Sequence, residues 1–522
     1  MRKNIKIYHK GKLVDKEINY IPTRYIWAVL ITILEVAAII GVVVLLAMYV
    51  PYFYLALLAT QIGVILAIMV SNNNPDYKLV WLFVVVMIPL IGMMIYLIFY
   101  KRKLPKRLIK RLKNVNESYS HNDEETFNEL NKQNALISTQ AKSLCKTANT
   151  HLYKNSKIEY FKLGEEMHQS ILTELKKAKK FIFLEYFIIE EGEFWNSVLE
   201  ILKEKAKSGV DVKLIYDDIG CMGTLPGKYY KTLTKKYNIQ TVIFNKLRGQ
   251  ANNEFNNRSH RKIMVIDGLV AYTGGINLAD EYINKVNRFG HWKDTGIKIE
   301  GNAVNELTKL FLLDFSLNSK NDLNINFNSY FVNNSNIKSN NYIIPFGDAP
   351  KPLSNFSASK MAIMHLLNQA KNYVYITTPY LIVDNELMRA IENTAIRGVD
   401  IKIIIPHTPD KKIVYGMTKS VCRQLNQLGV KIYEYIPGFI HAKSYIADDE
   451  FGIIGTMNLD YRSLDHNFEN GVWIYNDPVI LEMKQDFLET INNSNEMTFQ
   501  KPKHRLITKF IYILVKIFSP LL

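Results

Sequence analysis

Apolar positions crowd the start of the chain. Ile26 to Val70 is an almost unbroken apolar run, and a second goes from Leu79 to Tyr100. A bilayer crossing takes about 20 apolar residues. The first run therefore has length for two crossings divided at Pro51, and the second for one more with Pro89 inside it. A signal peptide would have an apolar core of only about 7–15 residues, and a buried soluble helix fails on length. Glu35 falls in the middle of the first run, where a carboxylate costs on the order of 2.5–3.5 kcal/mol. The pattern predicts spans at Tyr52–Val70 and Leu79–Phe99. Before them lies a third span, or an interfacial or re-entrant helix. Residues 25–100 form the membrane region.

From about residue 136 the pattern changes to short β-rich runs, such as Phe181–Phe187 and Val212–Tyr216, between amphipathic stretches such as Phe194–Lys205. That alternation predicts an α/β fold. Two stretches repeat. ELKKAKKFIFLEYF (174–187) returns as LLNQAKNYVYITTPY (366–380), and KSGVDVKLIYD (207–217) as IRGVDIKIIIP (396–406). An internal repeat fixes architecture: two duplicated α/β lobes, 136–320 and 321–500, packed as a pseudo-dimer. The Asn-rich stretch Asn318–Asn341 reads as a surface connection between them.

Composition adds limits. The 522 residues are 48% hydrophobic and 22% charged, which excludes a disordered chain. Three cysteines exclude a disulfide scaffold, no Cys/His cluster has zinc spacing, and no metal or cofactor is expected. The net charge of +16 predicts an anionic partner. Half of it sits in KRKLPKRLIKRLK (101–113), eight positive charges in the linker 101–135 beside the second apolar run. The positive-inside rule puts that segment in the cytoplasm, at headgroup level against anionic lipid. The N-terminal segment 1–24 is basic as well. The tail 501–522 spaces Leu506, Ile507, Phe510, Ile511, Leu514, Ile517 and Phe518 as an amphipathic, membrane-surface helix, with a helix packed on the catalytic lobe as the alternative.

The chemistry sits in the repeat. The first lobe has His260, Lys262, Asp267, Gly274, Gly275 and Asn277; the second has His441, Lys443, Asp448, Gly455, Thr456 and Asn458, at the same spacings. The register continues to Asp294 and Glu469, each ahead of an apolar strand. A lone H-x-K carries little information, but chance does not produce the duplicated pattern. HRKIMVID and HAKSYIAD alternate as strands, so His and Lys two apart share a face. Two lobes face to face would bring two imidazoles, two ammoniums and two amides into one cleft. Ammonium and amide (Asn277, Asn458) suit phosphate oxygens; one imidazole attacks phosphorus and the other protonates the leaving alcohol. Asp267 and Asp448 complete the two catalytic motifs and read as structural, fixing strand ends. Asp294 and Glu469 read as orienting the histidines.

The duplicated H-x-K-x4-D-x6-G-[G/S/T]-x-N resembles the phospholipase D superfamily. NRSHRKIMVIDG, GGINLADEY, HWKDTGIKIEG and HAKSYIADDEFGIIGTMNLDYRSLDHNFE, together with the apolar hairpin from about Tyr52, resemble the bacterial cardiolipin synthases. The resemblance implies two phospholipase D-like lobes and a bacterial multi-pass membrane enzyme. It also implies transfer of a phosphatidyl group from one phosphatidylglycerol to a second, giving cardiolipin and glycerol through a phosphohistidine. It implies that His260 is the nucleophile and His441 the general acid/base. Arg258-Ser259 departs from the Asn-His-Arg-Lys run of relatives. Three other readings compete: a phospholipase D hydrolase with water as acceptor, a membrane-tethered nuclease, and an inactive anionic-lipid-binding protein. The charge beside the membrane segments speaks against nucleic acid, and the complete His/Lys sets against an inactive protein.

Overall fold

The computed structural model describes residues 2–9, 12–19, 23–49, 52–100, 119–247, 257–319, 326–334, 337–351 and 356–499, with isolated positions at 110, 116–117, 353–354, 518 and 520. Apart from Lys110, the basic run 101–113 lies outside the described residues. So does the tail 501–522, apart from Phe518 and Pro520. Arg2–His9 and Lys12–Asn19 pair as an antiparallel hairpin.

Four apolar helices follow: α1 (Thr23–Tyr49), α2 (Phe53–Val70), α3 (Pro75–Met87) and α4 (Pro89–Tyr100). Glu35 does not interrupt α1. Its 27 residues reach about 40 Å at 1.5 Å per residue. Only α1 and α2 are long and apolar enough to cross a membrane among the described residues. The expected span Leu79–Phe99 is instead broken at Ile88, where the backbone leaves helical values just ahead of Pro89. A proline disfavours helical geometry at the residue before it. The Trp81 and Tyr96 rings meet at 5.4 Å, so α4 folds back along α3. Each leg is then too short to cross. Ile68, Val85, Met93 and Tyr96 form the small core of α2, α3 and α4.

Beyond residue 150 the chain builds two mixed sheets of matching order. The first runs Lys157–Phe161, Gly296–Glu300, Val270–Gly274, Ile263–Ile266, Phe181–Tyr186, Asp211–Asp217, Gln240–Phe244. The second runs Tyr342–Asp348, Glu469–Tyr475, Phe451–Gly455, Ser444–Ala447, Tyr373–Thr377, Asp400–Pro406, Lys431–Tyr435, with Tyr153–Lys154 and Ser494–Glu496 added at its two ends. In each, the last three strands of the shared order run parallel and the others antiparallel. The repeat in sequence is thus a repeat in topology.

Why these residues form these elements is local. All six residues of Phe181–Tyr186 are buried, as a strand covered on both faces requires. The helix Glu193–Lys207 buries Phe194, Trp195, Val198, Leu199, Leu202 and Ala206 along one stripe, with Glu193 at its start and Lys205 and Lys207 at its end. One core is common to both lobes. Phe183, Val265 and Ile299 of the first sheet belong to the same apolar cluster as Ile404, Ile446 and Ile474 of the second. Residues 124–154, expected partly in the linker and partly in the first lobe, pack with the second. Leu130, Ile137 and Leu144 join Ile344, Leu366 and Trp473 in its core. The sequence pattern of these helices shows an apolar face but not which sheet takes it.

Candidate active site

The lobes meet along two short parallel contacts related by the pseudo-twofold. Ser259 bridges Phe468, and His291–Lys293 pairs with Gly438–Ile440. Immediately after each contact comes a histidine. The His260 N–H donates to Phe468 O at 2.8 Å, and the His441 N–H to Lys293 O at 2.7 Å. The residue after each accepting carbonyl is a carboxylate. His260 Nδ1 lies 2.9 Å from Glu469 Oε2, and His441 Nδ1 lies 2.6 Å from Asp294 Oδ2. The orienting pairs are therefore crossed. Each lobe supplies a histidine to the other lobe's carboxylate. With Nδ1 committed, Nε2 is the atom left for chemistry. Both side chains are buried, with 10% of His260 and 9% of His441 exposed.

His and Lys do not lie in the strands as the alternation predicted. The strands Ile263–Ile266 and Ser444–Ala447 begin one residue after each lysine. Lys262 Nζ donates to His260 O at 2.7 Å, and Lys443 Nζ donates to His441 O. Both ammoniums thus brace the backbone of their own histidine. The asparagines differ. Asn277 accepts from the Ile188 N–H and donates to the Tyr282 hydroxyl, whose ring stands edge-on to His441. Asn458 Oδ1 is buried with no hydrogen-bond partner among the described residues.

Asp267 and Asp448 sit at the far ends of those strands, both with φ near +55°. Asp267 accepts the N–H groups of Lys179, Lys180 and Phe181 at 2.7–2.9 Å. Asp448 accepts those of Lys371, Asn372 and Tyr373 at 2.6–3.0 Å. Each ties a strand end to the start of the neighbouring strand. Asp448→Ala is expected to cost about 2–3 kcal/mol of stability, while the folded fraction keeps its kcat. Thermal unfolding alongside active-site titration checks this.

The carboxylates are held unequally. Glu469 accepts from Thr456 Oγ1 (2.5 Å), Ser463 Oγ (2.7 Å) and Asn467 Nδ2 (3.2 Å) as well as from His260. Asp294 accepts from the Thr295 N–H at 2.8 Å besides His441. Gly275 stands where the second lobe has Thr456. A Cβ there would lie 2.0 Å from Asp294 Oδ1, so no side chain fits.

Burial dominates the electrostatics. It drives His260 down to about 4 and His441 well below the ordinary range. It lowers Lys262 to about 7 and Lys443 to about 8. It raises Asp294 to about 7, against the pull of Lys443 and the Thr295 N–H. For Glu469 burial is outweighed by His260, Lys262 and the Thr456 hydroxyl, so its carboxyl stays below the usual value.

Sequence reasoning missed the scaffold behind His260. Arg258 forks onto Asp217 at 2.9–3.0 Å, and Ser259 Oγ donates to Glu185 at 2.5 Å. Arg261 pairs with Asp314 at 2.6 Å and donates to Glu469 O at 3.0 Å. In the repeat, Thr377 and Pro406 stand for Glu185 and Asp217, and Phe439 and Ile440 for Arg258 and Ser259. The departure at Arg258-Ser259 is therefore one half of a buried ionic anchor in one lobe. Its signal was available: carboxylates inside the apolar strands LEYF and LIYD need partners.

A duplicated α/β lobe carrying H-x-K-x4-D twice defines the phospholipase D class. The family model described as "Cardiolipin synthase, PLD-like domain" matches residues 171–309 and 363–491, and "Phospholipase_D-nuclease N-terminal" matches 62–99. A cardiolipin synthase of Clostridium perfringens is 32% identical over 464 residues, 87% of this chain and 96% of the relative. Cardiolipin synthase 1 of Staphylococcus aureus is 32% identical over 457 residues, 85% and 91% of the two chains. The crystal structure of a phosphatidylserine synthase from Haemophilus influenzae superposes with TM-score 0.56 at 16% identity, over 73% of this chain and all of that one; it shows the fold. The chain belongs to the bacterial cardiolipin synthases of the phospholipase D superfamily. At the level of the family it is a membrane-associated phosphatidyltransferase acting on phospholipid.

Proposed function

We propose that the protein makes cardiolipin and free glycerol from two molecules of phosphatidylglycerol. The observation that carries this reading is the pair of crossed histidine–carboxylate dyads. His260 Nε2 attacks the phosphorus of the first lipid. An N–P bond forms, the P–O bond to the headgroup glycerol breaks, and the glycerol oxygen takes a proton from His441. The terminal hydroxyl of the second lipid then gives its proton to His441 and attacks phosphorus. The N–P bond breaks and its electron pair returns to His260. Lys262, Lys443 and the Asn458 amide stabilise the charge on the equatorial oxygens.

The unequal carboxylates support this division. Near neutrality Glu469 is ionised beside a neutral His260, which suits a nucleophile. The Asp294–His441 pair holds an extra proton up to about pH 7, which suits a general acid. Asp267 and Asp448 are structural in this scheme. α1 and α2 would cross the bilayer, and the lobes would face the cytoplasm.

Phosphatidylglycerol vesicles incubated with the purified protein and a chelator are expected to yield cardiolipin and glycerol in equal amounts. Phosphatidic acid as the sole lipid product would replace the transferase by a hydrolase.

A further inference from the structure

The membrane region touches the second lobe through the first turn of α3 and the residues just before it, where Lys351 Nζ donates to Asn72 O at 3.3 Å. Asn74 caps that turn by accepting the Asp76 N–H, and its amide donates to Asp384 at 3.1 Å. Asp76 accepts from the Tyr461 hydroxyl at 2.8 Å. The Tyr77 ring stands edge-on to Tyr461 at 5.9 Å and to His466 at 5.2 Å. Tyr461 and His466 bracket a single turn of π-helix, Arg462–His466. Such turns are rare, and persist where the surroundings hold them. This one carries Ser463, and Asn467 follows it. Ser463 Oγ accepts the Asn458 N–H at 2.9 Å, and both Ser463 and Asn467 donate to Glu469 Oε1. A continuous line of contacts therefore runs from the membrane hairpin to the carboxylate that holds His260. Asp294, by contrast, accepts from its own neighbour Thr295 and from His441.

We infer that Asp76 and Tyr77 of the membrane hairpin are positioning residues for the His260–Glu469 pair, acting through the Tyr461–Asn467 turn. The inference rests on the role proposed for His260. Hydrogen-bond donors favour the ionised form of a carboxylate. If the turn relaxes, Ser463 and Asn467 leave Glu469 and the pair takes up its proton at higher pH. The charged groups that face the pair, Lys262, Lys443 and Arg261, come from other segments and stay in place.

The test uses the full-length protein in detergent micelles containing phosphatidylglycerol. The variants are Asp76→Ala, Tyr77→Leu and Tyr77→Phe, the last keeping the ring. Imidazole 15N signals, with His260 assigned by their loss in His260→Gln, give the titration of the pair without turnover. In Asp76→Ala and Tyr77→Leu it should move up by about one pH unit. The acid limb of kcat should follow, with KM within about twofold of the parent, and Tyr77→Phe should restore both. An unmoved His260 titration in folded variants overturns the inference, whether or not thermal stability falls. A change confined to KM does the same. A parent protein that titrates as described but makes no cardiolipin would instead overturn the proposed function and leave the positioning role standing.

Discussion

Replacing either His260 or His441 by alanine is expected to lower cardiolipin formation at least about a thousandfold, because each removes a group that makes or breaks a bond. The two variants should then part company. With phosphatidylglycerol labelled in an acyl chain, His441→Ala should accumulate label on the protein, since the nucleophile remains while transfer to the acceptor lacks its base. His260→Ala should carry none. Label on His260→Ala but not on His441→Ala would exchange the two roles. Label on neither, with both inactive, would count against a phosphohistidine. Both side chains sit on backbone fixed by the opposite lobe, His260 to Phe468 and His441 to Lys293, so the substitutions leave the scaffold in place.

The second large effect concerns Glu469. Glu469→Gln keeps the shape and an oxygen for His260 Nδ1 but removes the charge. Loss of a carboxylate behind a catalytic imidazole costs roughly four orders of magnitude in the serine proteases. A fall in kcat of about two to four orders is expected here, with KM little changed. The sign of the pH dependence follows from the same groups. Activity should be lost on acidification as the His260–Glu469 pair takes up a proton, His260 having been lowered to about 4. On the alkaline side kcat/KM should decline as Asp294 and Lys262, both about 7, and Lys443, about 8, lose protons. In Asp294→Asn the steepest part of the alkaline limb should move. An alkaline limb identical to the parent's would remove Asp294 from the reaction.

The duplicated motif was legible because a repeat at fixed spacing survives in one dimension. The two similar α/β lobes and both His/Lys/Asp/Asn sets follow from it directly. What joins the lobes was not legible. Asp294 and Glu469 stand out as carboxylates ahead of apolar strands, yet their spacing to either histidine does not say which pairs with which. Only packing about the pseudo-twofold decides that. Glu35 left the first segment open between a span and a surface or re-entrant helix; the unbroken 27-residue α1 has the length and apolarity to cross. Pro89 was treated as tolerable within a span, whereas the Trp81–Tyr96 contact shows the chain doubling back there. Local propensity marked the break; the contact across it is tertiary.

The crossed dyads have an evolutionary and practical corollary. A single lobe, expressed alone, would own one imidazole with no anion behind it and one anion with no imidazole. Neither half can therefore drift, be deleted or be exchanged for a foreign copy without silencing its twin. Gene duplication here did not create a spare; it created a mutual dependence, and co-expressed halves should regain function only when they reassemble.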